Sequence, residues 1–310
     1  MNVGHWRRLK DRLAGRAMGV LAFLVTALVL FIVVALAARA RPLLDIQSPV
    51  ELLTSSEWRP LQGKFGFLTF IVGTVWVTLL AMVLAVPPCL LCAIYLAEYA
   101  PHRLRETAKP VVDLLAGIPS VVYGLWGILM VVPFVRDVIT PFAAAHLGAI
   151  PLLRVDNPTG YGILSSGVVL AVMVFPILIS VTGEVIRAVP DGMRVAALAL
   201  GATRWQMIKG VVLRRALPGI IAAIVLGFSR AFGETMAVMM VVGNVPQIPH
   251  SIFDAAYPLP ALIANNYGEM MSIPLYDSAL LAAALVLLLI VLFFTIAARV
   301  ILLHAIRRAS

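Results

Sequence analysis

The chain has 310 residues, 62% of them hydrophobic and 13% charged, with a mean hydropathy of +1.01. A soluble domain is roughly 45–50% apolar and needs more charge to cover its surface, so this composition excludes that class and points to lipid as the surrounding phase. The net charge of +9 comes with no basic stripe of interleaved aromatics, which leaves little reason to invoke nucleic acid.

Read in chain order, the sequence opens on a basic segment, Arg7, Arg8, Lys10, Arg12 and Arg16, followed by an uncharged run over 17–38. A bilayer-spanning helix needs ~20 apolar residues, so this run predicts a first span. It is too long for a cleaved signal peptide, and no small-x-small cleavage site clearly follows. Residues 39–64 carry polar groups, prolines and Trp58, and predict an outer cap. The run 65–97 predicts one tilted second span, kinked at Pro87 and Pro88. Residues 114–135 predict a third span. The stretch 136–156 is broken by Pro141 and Pro151, too interrupted to cross. Residues 157–183 predict a fourth span, 216–243 a fifth and 278–298 a sixth. Between the last two, an ordered loop with a short helix is expected over 258–267. No period-two alternation suggests a barrel. The expectation is an all-α integral membrane fold of six helices, organised as 1–64, a core over 65–300 and a tail over 301–310.

Seventeen of the 24 Lys and Arg residues then fall on one side, six on the other and one, Arg230, within a span. That asymmetry predicts both termini in the cytoplasm. The lone C-x-x-C of Cys89 and Cys92 lies in an apolar helix and lacks the second ligand pair of a zinc site, so helix packing is expected. The five histidines are scattered, and no metal site is expected.

The inside loop 187–215 reads as helix, tight turn, helix. Asp191 after Pro190 is an N-cap candidate, Gly201 a helix stop, and Thr203 with Gln206 a capping box. Ala196, Ala197, Gly201, Ala202 and Thr203 lack bulk, so another surface could approach their backbone closely. A plain amphipathic linker is the competing reading.

Arg230 and Glu234 interrupt the fifth span four residues apart, which predicts one helical face. Counted from Ala216, Arg230 lies about 21 Å along the axis, near mid-bilayer. A charge there costs roughly 2.5–3.5 kcal/mol on insertion scales and normally faces a bundle interior or an aqueous path. A guanidinium offers planar bidentate donors suited to a tetrahedral oxyanion, and Glu234 is expected to neutralise it between passages. A buried pair that only orients the helix is the alternative. No G-x-x-x-x-G-K-[ST] occurs, and no catalytic constellation is evident, so the chain is not expected to be an enzyme or to bind ATP itself.

Four further stretches bear on identity. Val195-Ala-Ala-Leu-Ala-Leu-Gly201-Ala-Thr203 resembles the EAA loop of bacterial ABC-importer permeases. Leu115-Ala-Gly-Ile-Pro-Ser-Val-Val-Tyr-Gly-Leu-Trp-Gly127 and Arg230-Ala-Phe-Gly-Glu234-Thr-Met-Ala-Val238 resemble the third- and fifth-helix motifs of the phosphate-specific permeases, and Ile94-Tyr-Leu-Ala-Glu98-Tyr-Ala100 also fits. The chain is thus similar to the PstC-type branch of that family over about 65–299. The resemblance implies a type I importer permease (MetI-like) fold and one half of a phosphate path lined by Arg230. It implies a PstA-like permease partner, a PstB-like ATPase dimer that holds ATP and Mg²⁺, and a PstS-like phosphate-binding protein. It also implies the inner membrane as the location. Two departures stand out: Val195 replaces the usual first Glu of the loop, and Arg214 replaces the Pro of the later I-x-L-P element. Arg194 and Arg204 are expected to supply polar contacts to the ATPase in place of that Glu. A sulfate or molybdate permease, a self-contained ion-coupled transporter and a membrane-embedded enzyme are the competing readings.

Overall fold

The computed structural model describes residues 3–269 and 273–309. Its helices are α1 (Val3–Leu44), α2 (Pro49–Thr54), α3 (Leu68–Tyr99), α4 (His102–Ala116), α5 (Ser120–His146), α6 (Ile163–Arg187), α7 (Asp191–Ala199), α8 (Arg204–Phe232), α9 (Met236–Val241), α10 (Leu259–Asn266) and α11 (Tyr276–Ala309). A two-residue hairpin, β1 (Trp58–Arg59) against β2 (Lys64–Phe65), turns at Gly63. Among the described residues, six helices are long and apolar enough to cross a membrane: α1, α3, α5, α6, α8 and α11. The side chains of Arg7, Arg8, Arg307 and Arg308 lie outside the described residues.

Several boundaries differ from the sequence expectation. Helix α3 runs through Pro87 and Pro88 as one element and ends in a π-turn over Tyr95–Tyr99. The third span does not begin at Leu114. Residues up to Ala116 belong to α4, and the chain breaks at Gly117, Ile118 and Pro119, because a proline restricts the residue before it and ends a helix there. At its other end α5 continues through Pro141 to His146, absorbing the strain in π-turns at Gly127–Val131 and Val135–Ile139. The last helix carries on to Ala309, so the tail expected over 301–310 is helical through 309.

Helices α3 and α6 form the spine. Val77, Ala81, Ala85 and Cys89 of α3 pack with Val169, Leu170, Val174 and Leu178 of α6. In lipid there is little hydrophobic drive between helices, so association depends on close fit and small residues. A Cβ on Gly167 would come within 2.8 Å of Leu80 Cδ2, and one on Gly227 within 2.8 Å of Leu178 Cδ2. Cys89 is buried and both cysteines are free, as a packing role requires.

The charged loops sort to two ends. At one end, Trp58 makes edge contacts with Phe65, Phe70 and Tyr276, closing the hairpin over the starts of α3 and α11. The start of α6 is tied at that same end by Gly162 N–H to Val241 O and Ile163 N–H to Asp254 O. At the other end, α7, the first turns of α8 and the last turns of α3 and α6 share a smaller core of Ala97, Ile186, Ala197, Met207 and Ile208.

Candidate functional site

The chain's charged break and its helix–turn–helix loop occupy the two ends of α8. The C-terminal end departs from expectation. The helix stops at Phe232, and Gly233 ends it. Arg230 and Glu234 therefore do not share one helix. Instead the Glu234 carboxylate accepts the Ala237 backbone N–H at 3.2 Å, at the start of α9. A carboxylate satisfies orphan donors and complements the dipole at a helix start, and next to a glycine that local gain outweighs an i,i+4 pair. No ion pair joins Arg230 to Glu234 among the described residues. Glu234 is half-buried and Arg230 is exposed in the isolated chain. By helix rise Arg230 stands about 22 Å from Arg215, in the last turn of α8.

The motif in the third span explains how this break is seated. A Cβ on Gly124 would lie 2.5 Å from Met240 Sδ and 3.2 Å from Ala237 Cα, and one on Gly127 would lie 2.8 Å from Val241 Cγ1. These two glycines let α9 pack on the backbone of α5. Between them and the Pro119 break, Tyr123 donates its hydroxyl to Leu115 O at 2.8 Å, spanning the gap between α4 and α5. The Arg230 charge lies within electrostatic reach of that phenol. The two stretches singled out in the sequence are thus brought together: one supplies the floor, the other the charged break that rests on it.

The loop before α8 folds as expected in outline. Helix α7 ends before Gly201, whose φ is +84°, and Thr203 with Gln206 completes the capping box at 3.3 and 2.8 Å. Pro190 takes the cap position, and Asp191 is the first helical residue. Two expectations fail here. Ala197 points into the protein, not outward, while Ala196, Gly201 and Thr203 are exposed and Ala202 is half-buried. The loop's outward surface also carries the apolar side chains of Val195, Leu198, Trp205 and Leu200, the last 89% exposed.

Arg194 and Arg204 are also not left free for a partner. Arg194 Nη2 lies 2.8 Å from Glu98 Oε1 and donates to Ile186 O at 2.9 Å, and its Nη1 bonds Val189 O and, at 3.0 Å, Asp191 Oδ1. Arg204 donates to Glu98 O and stands 4.7 Å over the Tyr99 ring. Arg105 of α4 donates to Leu96 O at 3.0 Å and Ala97 O at 3.1 Å. The end of α3 leaves carbonyls unsatisfied, and three guanidiniums converge on it. In the sequence Glu98 stands out only as part of a motif. The signal for its role was an acidic residue at a helix end, opposite arginines that follow in other elements.

Residues 89–304 match the family described as binding-protein-dependent transport system inner membrane component. The phosphate transport system permease protein PstC of Xylella fastidiosa (strain 9a5c) is 39% identical over 295 residues, covering 92% of this chain and 90% of that protein. The probable ABC transporter permease protein YqgH of Bacillus subtilis (strain 168) is 39% identical over 223 residues, covering 71% and 67%. Among solved structures, an inward-facing MetNI methionine ABC transporter matches with a TM-score of 0.54 at 20% identity, covering 75% of this chain and 93% of that one. That likeness is one of fold.

Proposed function

Because the chain belongs to the family of binding-protein-dependent transport system inner membrane components, we propose that it is a permease subunit forming half of an import path for inorganic phosphate. The names of its relatives support the solute, with identity of 39% over nearly the whole chain. The single observation that carries the path assignment is Arg230. It sits in the last turn of a helix long and apolar enough to cross a membrane, makes no ion pair among the described residues, and is exposed in the isolated chain. Such a charge needs water or a partner around it.

In this reading Arg230 supplies bidentate donors to the phosphate oxygens as the ion passes. Glu234 does not neutralise it directly. Its carboxylate fixes the start of α9 and keeps a negative charge near the path, which limits how tightly an anion is held. A PstA-like permease supplies the other wall. A PstS-like binding protein delivers phosphate at the end closed by the hairpin. A PstB-like ATPase dimer, carrying ATP and Mg²⁺, docks on Ala196, Gly201, Thr203 and the apolar residues around them. The loop's end of the molecule, with both chain termini, then faces the cytoplasm of a bacterial plasma membrane, as the charge distribution favours.

The test of substrate is uptake by the assembled importer in vesicles, with labelled phosphate competed by sulfate and molybdate. Phosphate uptake that resists both competitors supports the assignment. Equal transport of sulfate or molybdate, or uptake without ATP, would overturn it.

A further inference from the structure

We propose that a cleft between α4 and α6 binds the headgroup of an acidic phospholipid. The cleft is shallow and open to the surface, with a cavity volume of about 30 Å³, and is lined by Arg105, Lys109, Asp113, Ser180, Gly183 and Arg187, with apolar walls from Leu96, Val112 and Ile179. Its three cations face one carboxylate, so the lining is net positive. Arg187 reaches over the floor: a Cβ placed on Gly183 would lie 3.9 Å from its Nη2. Arg105 is committed to the carbonyls of Leu96 and Ala97. Lys109 and Arg187 make no hydrogen bond or ion pair among the described residues, and Glu184, one turn before Arg187, does not line the cleft. Two cations and the Ser180 hydroxyl are therefore available to an anion's oxygens.

Helix α4 decides between a lipid phosphate and the free ion. It joins two spans and is broken off from both, at Ala100–Pro101 and at Gly117–Pro119. Leu104, Val111 and Leu115 form one exposed apolar stripe, joined by Leu114. Arg105, Lys109 and Val112 lie beside that stripe, turned to the cleft. An apolar stripe next to a basic face is the pattern of a helix lying in the membrane interface. Basic clefts between membrane helices take anionic headgroups, whose acyl chains can follow such a stripe. A free ion would have no use for it. The cleft is separate from Arg230 and does not depend on which solute the protein carries.

The test is native mass spectrometry of the full chain, purified in detergent with whatever subunits accompany it, titrated with phosphatidylglycerol or phosphatidylcholine. Phosphatidylglycerol is expected to bind more tightly. The double variant Lys109→Gln, Arg187→Gln should lower that affinity by roughly thirtyfold, at about one attractive contact per lost charge, and leave phosphatidylcholine binding unchanged. Lys109→Arg with Arg187→Lys should retain the preference, which separates lost charge from a damaged fold. Millimolar inorganic phosphate should not displace the lipid. Equal affinity for the two lipids, an unchanged preference in the Gln variant, or displacement by inorganic phosphate would each overturn the proposal, the last by assigning the cleft to the free ion.

Discussion

Arg194 and Glu98 form a buried ion pair at 2.8 Å, with side chains 14% and 6% exposed, that ties the loop before α8 to the last turn of α3. The pair does not stand alone. The same guanidinium holds the end of α6 through Ile186 O and Val189 O, and Arg204 holds the Glu98 carbonyl. Any force applied to α7 is therefore carried to α3 and α6, the two helices that form the spine.

Removing Arg194 leaves the Glu98 carboxylate buried without its cation, so Arg194→Ala is expected to cost about 3–5 kcal/mol, the scale measured for half-broken buried pairs. Glu98→Ala should cost less, because Arg194 keeps Asp191 and the carbonyls of Ile186 and Val189. The check is thermal unfolding of the purified protein in detergent. A conservative Glu98→Gln that stays folded should lower the ratio of phosphate imported to ATP hydrolysed. An unchanged ratio would remove the pair from force transmission.

The position of Gly201 separates two effects. Its φ of +84° strains any L side chain, but nothing lies within 4 Å of where a Cβ would point. Gly201→Ala should therefore cost only about 1 kcal/mol, from the backbone alone. Gly201→Trp should also weaken copurification of the ATPase subunit or uncouple hydrolysis from transport. If Trp and Ala behave alike, the surface beyond Gly201 is not a docking face.

Leu200 gives a complementary test on the same surface. At 89% exposure it contributes almost nothing to this chain's own fold. Leu200→Asp should leave unfolding within about 0.5 kcal/mol of the parent, the usual scale for surface changes. It should still reduce the ATPase recovered with the chain. Full recovery would place the contact elsewhere.

Gly124 carries the packing of α9. A side chain there would run into Met240 and the Ala237 backbone, so Gly124→Leu should destabilise by about 1–3 kcal/mol through overpacking. Phosphate uptake should fall even though Arg230 is retained, because the charged break rests on this contact. Gly15→Leu, with nothing within 4 Å of the added Cβ, is the control and should have little effect.

Much of this arrangement was legible in the sequence. Uncharged runs fix where spans lie because lipid tolerates little else, and the Thr203–Gln206 capping box is a local pattern that tertiary contacts did not override. What misled was periodicity applied across Gly233. Four residues separate Arg230 and Glu234, and that spacing means one face only if the helix is continuous. A carboxylate two residues before a new helix is as good a cap as it is an ion-pair partner, and the sequence does not rank the two. The same limit applies to Arg194. Its place beside the loop's missing first Glu suggests an outward contact, while its partner lies 96 residues earlier in the chain, across a fold that the packing of α3 on α6 creates. The small size of Ala197 suits an outward docking face, yet it equally suits a residue buried in the core that holds Met207 and Ile208.

The most direct test concerns Arg230, which makes no ion pair among the described residues and stands at the end of α8. Uptake of radiolabelled phosphate should be measured in vesicles holding the assembled importer, with parent chain and with Arg230→Ala, while recovery of the complex is followed in parallel. Uptake is predicted to fall by tenfold to a hundredfold, about the loss of one charge-assisted hydrogen-bonding group, with assembly intact. Normal uptake by the fully assembled Arg230→Ala importer would contradict the path assigned here.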